Sequence, residues 1–236
     1  MSQREISFAP ESGVGIPWNA GAATWLRKTT WKVRTRLPGL TKRAFDVLTA
    51  LVLLLVMGPI LVVLVLAIKW DSRGPAFFRQ TRVGKDGRHF TLWKFRSMYL
   101  DAETRFGEVA SADRVSGGVR FKMKDDPRIT RVGRILRMTS MDELPQLWNV
   151  LLGDMSLVGP RPPVPPEVDL YGGVERRRLE VMPGLTCIWQ VSGRSDIPFE
   201  QQVEMDLTYV HDQSWTLDLQ LLLQTIPAVL TARGAY

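Results

Sequence analysis

Two adjacent acids, Asp142 and Glu143, stand in a chain that spaces cations around them. Lys94 and Arg96 flank Phe95 at the end of a strand-like run. Arg131, Arg134 and Arg137 recur at a helical interval. Arg161 is fixed between Pro160 and Pro162, and Arg194 follows Gly193 in a loop. Guanidinium groups suit phosphate because they offer paired N–H donors in a rigid fork. A carboxylate among them could hold a divalent metal or attack phosphorus. The competing reading of the acids is structural. Ser140-Met141-Asp142-Glu143 has the Ser-x-x-Glu form of a helix capping box, and on local sequence capping is the commoner use of that pattern. Pro145 fits better with Asp142 as N-cap than with Ser140, because proline is tolerated in the first turn. Either way the acids sit at a helix N-terminus, which favours anions and attracts phosphate.

Other chemistries find less support. Asp125-Asp126 is a second acid pair, but ahead of Pro127 it reads as a turn. Residues 189–194 could contact a nucleotide, yet such a stretch is more often strand and turn. Gly84-Lys85 lacks the upstream Gly and following Ser or Thr of a P-loop, and Gly13-Val14-Gly15 lacks the third Gly of a dinucleotide fingerprint. Neither Gly-x-Ser-x-Gly nor His-Glu-x-x-His occurs. His89, His211 and Cys187 are too few for a structural zinc site. A single cysteine makes no internal disulfide, and Cys187 reads as a small buried residue.

The elements that must carry these residues fall into three stretches. The chain has 236 residues, 45% hydrophobic and 23% charged, which excludes disorder throughout. Its basic excess is local. Residues 1–45 hold eight Lys or Arg against two acids, whereas residues 196–236 hold six acids against Arg233. A nucleic-acid binder is not patterned in that way. Residues 1–40 read as a flexible basic extension, with Trp25 and Trp31 among cations that suit an anionic membrane surface. Val47 to Ile68 carries no charge over 22 residues, about 33 Å of helix and long enough to span a bilayer core. Gly58-Pro59 interrupts it at the midpoint, where Pro59 cannot donate to Leu55. Both flanks are basic, which draws both ends to the cytoplasm. On the residues alone, a re-entrant helix hairpin and a kinked spanning helix are equally supported over residues 41–69. Residues 70–236 read as one domain. Runs 76–83 and 89–98 form a hairpin around the Gly84–Arg88 turn. Helices are expected over 99–113, 129–137, 141–152, 167–182, 199–212 and 216–232, the last interrupted near Pro227. An extended, proline-dense loop is expected over 154–166, and strand and loop over 183–195. The fold class is α+β: a membrane helix, then a mostly helical domain with a short β-hairpin and amphipathic helices able to lie at an interface.

These residues, taken in order, resemble the bacterial sugar transferases, the monotopic phosphoglycosyl transferases. The matching blocks are Lys42-Arg43-Ala44-Phe45-Asp46, Gly74-Pro75-Ala76-Phe77-Phe78-Arg79-Gln80, Lys94-Phe95-Arg96-Ser97-Met98 and Asp125-Asp126-Pro127-Arg128-Ile129-Thr130. The densest is Asp142-Glu143-Leu144-Pro145-Gln146-Leu147, running on to Gly153-Asp154-Met155-Ser156-Leu157-Val158-Gly159-Pro160-Arg161-Pro162. Pro183-Gly184-Leu185-Thr186 and Trp189-Gln190-Val191-Ser192-Gly193-Arg194 complete the set. The resemblance covers about residues 41–236. The length and the Ala-Arg-Gly-Ala-Tyr ending look like the short, exopolysaccharide-initiating hexose-1-phosphate transferases.

The resemblance implies transfer of a sugar-1-phosphate, galactose or glucose being the expected sugars, from a UDP-sugar to polyprenyl phosphate with release of UMP. It implies a re-entrant membrane helix broken at Gly58-Pro59, and a catalytic domain on the cytoplasmic face of the bacterial inner membrane. By motif position Asp142 is the nucleophile, forming a phosphosugar–aspartyl intermediate, and Glu143 is its dyad partner. Mg²⁺ is the implied cofactor, with Asp142 as its protein ligand. Lys94, Arg137 and Arg161 fall where the family contacts phosphate, and Arg194 falls in a loop tied to donor binding. The implied partners are the donor, the lipid acceptor and the membrane, with no nucleic acid; a homodimer is compatible with them. One departure stands out: Cys187 replaces a Gly in the family's Thr-Gly-Leu-Trp-Gln, which bears on sugar specificity by way of the backbone or a narrowed donor pocket. The rival readings are a membrane-anchored scaffold without turnover and a metal-dependent phosphodiester enzyme using Asp125-Asp126.

Overall fold

A computed structural model describes residues 39–105, 126–232 and 234. Helix α1 (Gly39–Asp71) is long and apolar enough to cross a membrane. Its buried residues explain how it is held. Lys42, Asp46 and Ala50 recur every four positions and face the rest of the chain. Lys42 pairs with Asp218, whose other oxygen accepts from Tyr209 Oη at 2.8 Å. Arg43 donates to the carbonyls of Val150 and Leu151. Asp46 Oδ1 accepts from the Leu157 amide at 3.2 Å. At the far end Ile68 packs with Ala76, Phe95 and Leu136, and Asp71 accepts from the Val132 amide at 3.0 Å. Between Ala50 and Ile68 no residue is buried, and Leu51, Val52, Leu55, Val56, Val62, Val63 and Leu66 are exposed.

Helical geometry runs through Gly58 and Pro59, so the interruption expected there takes the form of a proline inside one helix. Pro59 removes a single i→i−4 bond, which bends a helix more readily than it ends one. The extension assigned to residues 1–40 lies outside the described residues, apart from Gly39 and Leu40 at the start of α1.

The hairpin forms as expected. Strands β1 (Phe77–Val83) and β2 (His89–Phe95) pair antiparallel, from Phe77 opposite Phe95 to Val83 opposite His89. The turn places Asp86 and Gly87 at φ 56° and 78°, conformations that Asp and Gly tolerate best. Helices α2 (Arg131–Met138) and α3 (Gln146–Leu152) follow. Then come β3 (Ser156–Val158), α4 (Pro165–Asp169), α5 (Gly173–Arg176), β4 (Gly184–Thr186) and α6 (Ile188–Ser192). Strands β3 and β4 pair parallel, Ser156 with Gly184 and Val158 with Thr186. Helices α7 (Phe199–Asp212) and α8 (Trp215–Thr231) close the fold, and Pro227 sits inside α8 without ending it. The main core joins Ala50 of α1 to Leu92, Leu147, Val150, Leu157, Tyr209 and Leu221.

Several expected elements resolve into shorter ones. The loop over 154–166 contains β3 and the first turn of α4. The helix over 167–182 is divided at Gly172-Gly173, where two glycines weaken helical continuity. The helix over 141–152 is a 3₁₀ turn, Met141–Glu143, followed by α3. Residues 101–105 form turns, and the rest of the expected 99–113 helix, like Asp125, lies outside the described residues.

Lys42 and Asp218 are both buried, so either one alone would be an uncompensated charge. Asp218→Ala is expected to destabilise the protein by about 3–5 kcal/mol, read as a lowered thermal unfolding midpoint. Glu204→Ala, on an exposed face of α7, is expected to leave the midpoint unchanged.

Candidate active site

The site forms where three non-adjacent segments bring charge together. Lys94 comes from the end of β2, Glu143 from the 3₁₀ turn and Arg161 from the proline loop after β3. Lys94 Nζ donates to Glu143 Oε1 at 2.8 Å. Arg161 donates from Nη2 to Oε1 at 2.7 Å and from Nη1 to Oε2 at 3.3 Å. All three side chains are largely buried. Burial alone would raise the Glu143 carboxyl, but Arg161 and Lys94 outweigh it and hold it well below the usual carboxylate range.

Each segment is fixed from behind. Asn149, fully buried, accepts from the Trp93 amide at 3.0 Å and donates to the Thr91 carbonyl at 2.7 Å, which locks β2 to α3. The Arg161 loop is held by Val83 N–H to Pro163 O at 2.9 Å and by Arg82 Nη1 to Pro162 O at 2.9 Å. Helix α2 lies so close to residue 97 that a Cβ on Gly133 would fall 2.0 Å from the Ser97 carbonyl. Only glycine permits that approach. It brings Arg137 Nε to within 2.9 Å of Ser97 Oγ.

Asp142 is different. It is 9% exposed, and its carboxylate accepts no hydrogen bond among the described residues. Desolvation raises its pKa, opposed by Lys94, reinforced by Glu143, and opposed again by Arg137 and Arg161. The result is an unengaged carboxyl within reach of three cations. The preceding residue but one, Ser140, sits at φ 54°, a left-handed conformation that is costly for a non-glycine residue and gathers at functional sites.

The capping-box reading of Ser140 and Glu143 is overturned. Ser140 makes no side-chain cap, and Glu143 spends its oxygens on Lys94 and Arg161. Charged hydrogen bonds to a buried carboxylate outweigh a cap worth about 1 kcal/mol. Arg194 lies near the acids: beside burial, Glu143 and Asp142 act on its charge, and its Nη1 is buried without a partner among the described residues. Arg131 and Arg134 point to solvent. Arg96 turns away and donates to the carbonyls of Ser72 and Arg73, fixing the chain after α1. Asp126 is committed to Arg128 through a buried bidentate pair. Asn149, Ser97 and Arg82 were not singled out from the sequence. Ser97 alone had a signal, lying inside the Lys94–Met98 block. Cys187 is wholly buried at an ordinary extended φ of −150° and donates to Gln190 Oε1 at 3.1 Å. It therefore strains no backbone and lines no open pocket.

No group of three or more His, Cys, Asp or Glu side chains gathers among the described residues, so no all-protein metal cage forms there. Asp142 fits Mg²⁺ in another way, as one carboxylate free of hydrogen bonds among the described residues and beside a group of cations, since Mg²⁺ is commonly shared between one or two carboxylates and substrate phosphates.

The raised pKa of Asp142 has a thermodynamic sign. The folded chain holds that proton more tightly than the unfolded chain, so stability falls as pH rises from the ordinary aspartate value through the raised one. Asp142→Asn removes that penalty. Its melting temperature at pH 7 is expected to exceed the wild type's, with the gap closing as pH is lowered past the raised value.

Residues 37–232 match the family model described as bacterial sugar transferase. Over 197 residues the chain is 44% identical to the galactosyl transferase CpsE of Streptococcus agalactiae serotype III (strain NEM316), which covers 83% of this chain and 43% of that protein. It is 43% identical over 200 residues to the undecaprenyl-phosphate galactose phosphotransferase of Salmonella typhimurium (strain LT2), covering 83% of this chain and 41% of that one. It is 37% identical over 221 residues to the exopolysaccharide production protein ExoY of Sinorhizobium fredii (strain NBRC 101917 / NGR234), covering 92% and 97%. The chain spans about two-fifths of the first two relatives and nearly all of the third. With most of its length matched by the family model and a relative aligned almost from end to end, the chain belongs to the bacterial sugar transferase family.

Proposed function

We propose that this protein is a phosphoglycosyl transferase of the cytoplasmic face of the bacterial inner membrane. It moves hexose-1-phosphate from a UDP-sugar to polyprenyl phosphate and releases UMP, the first membrane step in building an exopolysaccharide or glycoconjugate. Galactose is the first candidate sugar, because two relatives carry galactose in their names, and glucose is the second. The observation that carries this reading is the division of labour between the acids. Glu143 is neutralised by Lys94 and Arg161, whereas Asp142 is unengaged beside them.

In this mechanism an Asp142 carboxylate oxygen attacks the sugar-bearing β-phosphorus. A P–O bond to Asp142 forms, and the bond to the bridging oxygen breaks. That oxygen keeps the electron pair and leaves with UMP. An oxygen of polyprenyl phosphate then attacks the same phosphorus, and the Asp142–phosphorus bond breaks. Covalent relay lets two anionic substrates react in turn rather than together. Lys94, Arg137, Arg161 and Arg194 bind phosphate oxygens and stabilise charge as it builds in the transition state. Asp142 would hold Mg²⁺, which would supply further charge neutralisation there.

The membrane placement rests on α1. A helix that crossed the bilayer would carry its two ends to opposite faces, about 30 Å apart. Here the same domain grips Lys42 and Asp46 at one end and Ile68 and Asp71 at the other. The bare apolar middle and the proline support a re-entrant hairpin that dips into one leaflet and returns. Leu219, Leu223, Ile226 and Leu230 form an exposed stripe along α8, as expected of a helix lying at the interface.

Purified wild type with Mg²⁺, polyprenyl phosphate and UDP-galactose or UDP-glucose is expected to release UMP, and Asp142→Asn is expected to abolish release. Turnover by that variant would sink the covalent route, and silence of the wild type with every UDP-sugar would favour the scaffold. For topology, Leu40→Cys and Lys85→Cys are expected to resist a membrane-impermeant thiol reagent added from the periplasm. Labelling of just one would mean that α1 crosses.

A further inference from the structure

Arg194 holds a left-handed backbone, φ 54°, in a loop that begins after α6. That conformation is costly for a non-glycine residue, so something must hold it. Most of the backbone bonds around it are local: Gly193 N–H to Trp189 O, Asp196 N–H to Gly193 O and Ile197 N–H to Arg194 O. One reaches across the sequence. The Ser195 amide donates to the carbonyl of Gly234 at 3.3 Å, from beyond the end of α8.

Gly234 itself lies at φ 64°, pressed against this loop. A Cβ there would fall 2.4 Å from the Gly193 carbonyl, 3.2 Å from Asp196 Oδ2 and 3.3 Å from Arg194 Cβ. The first of these distances is forbidden to a real side chain. Both the backbone sign and the available space therefore require glycine. Arg194 in turn lies near enough to Glu143 and Asp142 for their charges to act on it, and its Nη1 is buried and unpartnered among the described residues. A guanidinium nitrogen without a partner, beside two acids, has a donor left for an anion that binds there.

We propose that Gly234 is a positioning residue: it latches the Arg194 loop so that the Arg194 guanidinium meets the phosphates of the sugar-nucleotide donor. This rests on the phosphoglycosyl transfer reading. It assigns Gly234 a part in donor binding, at a distance in sequence from every other site residue.

The test compares Gly234→Ala, Arg194→Ala and the double variant in the full-length protein. Gly234→Ala is expected to raise the KM for the UDP-sugar about tenfold or more, on the scale of a lost charge-assisted contact, and to leave the KM for polyprenyl phosphate as in wild type. In the Arg194→Ala background it is expected to add nothing, because both changes remove one interaction. Losses that multiply, or a donor KM equal to wild type, would overturn the latch. A second arm needs no turnover. Hydrogen exchange over residues 194–197 is expected to quicken in Gly234→Ala while exchange in α7 stays the same. Unchanged exchange at Ser195 would also overturn it. If the wild type turned over no UDP-sugar, the transferase reading would fall, and the exchange arm would still decide whether Gly234 holds the loop.

Discussion

One carboxylate organises the site by giving up its own reactivity. Glu143 takes a buried lysine and a buried arginine onto its two oxygens. A buried ion pair of this kind contributes little net stability, because desolvation offsets much of the attraction. Its consequence is geometric. The end of β2, the 3₁₀ turn and the proline loop after β3 are joined at one point, and three segments far apart in sequence acquire a fixed relation. With Lys94 and Arg161 held by Glu143, the neighbouring Asp142 keeps their field without their hydrogen bonds. Among the described residues the Asp142 carboxylate accepts no hydrogen bond, and burial outweighs the cations to keep its pKa raised.

Backbone strain marks the same region. Four non-glycine residues among those described have positive φ. Asp86 lies in a hairpin turn and Ala232 ends α8, both positions where left-handed geometry is routine. The other two are Ser140, just before the acid pair in sequence, and Arg194, on whose charge both acids act. Each is maintained by tertiary contacts rather than by its own preference. The Asp142 turn is held through Glu143, and the Arg194 loop meets Gly234. Strain of about 1–3 kcal/mol at each presents a side chain at an angle that ordinary helix or strand would not give.

The tethering of α1 obeys the same logic at larger scale. An apolar helix has no reason to prefer one orientation on a domain, since oil packs on oil from any side. Direction comes from its polar residues. Lys42, Arg43 and Asp46 are each matched to a partner that only one register satisfies: Asp218, the last carbonyls of α3, and the Leu157 amide. These contacts end at Ala50, where the exposed apolar surface begins. The active site is thereby held at a fixed distance from whatever covers that surface.

What the sequence disclosed follows from how far each signal reaches. The hairpin, α7 and α8 were legible because turn residues and amphipathic period act over a few positions. Lys94, Arg137, Arg161 and Arg194 could be singled out by type and by resemblance, and they do converge. Ser140-Met141-Asp142-Glu143 misled for the opposite reason. A capping box is a local device worth about 1 kcal/mol, and the sequence window contains nothing to outbid it. The competitors, Lys94 and Arg161, are 49 and 18 residues away. Asp126 and Arg96 were ambiguous in the same way, until Arg128 claimed one and the Ser72 and Arg73 carbonyls claimed the other. A charged residue near a turn is therefore assigned by its strongest partner, and when that partner is distant in sequence, local pattern favours the weaker alternative. Asp142 inverts this rule. Local pattern made it part of a cap, the resemblance singled it out by motif position, and the structure leaves its carboxylate without a hydrogen bond among the described residues.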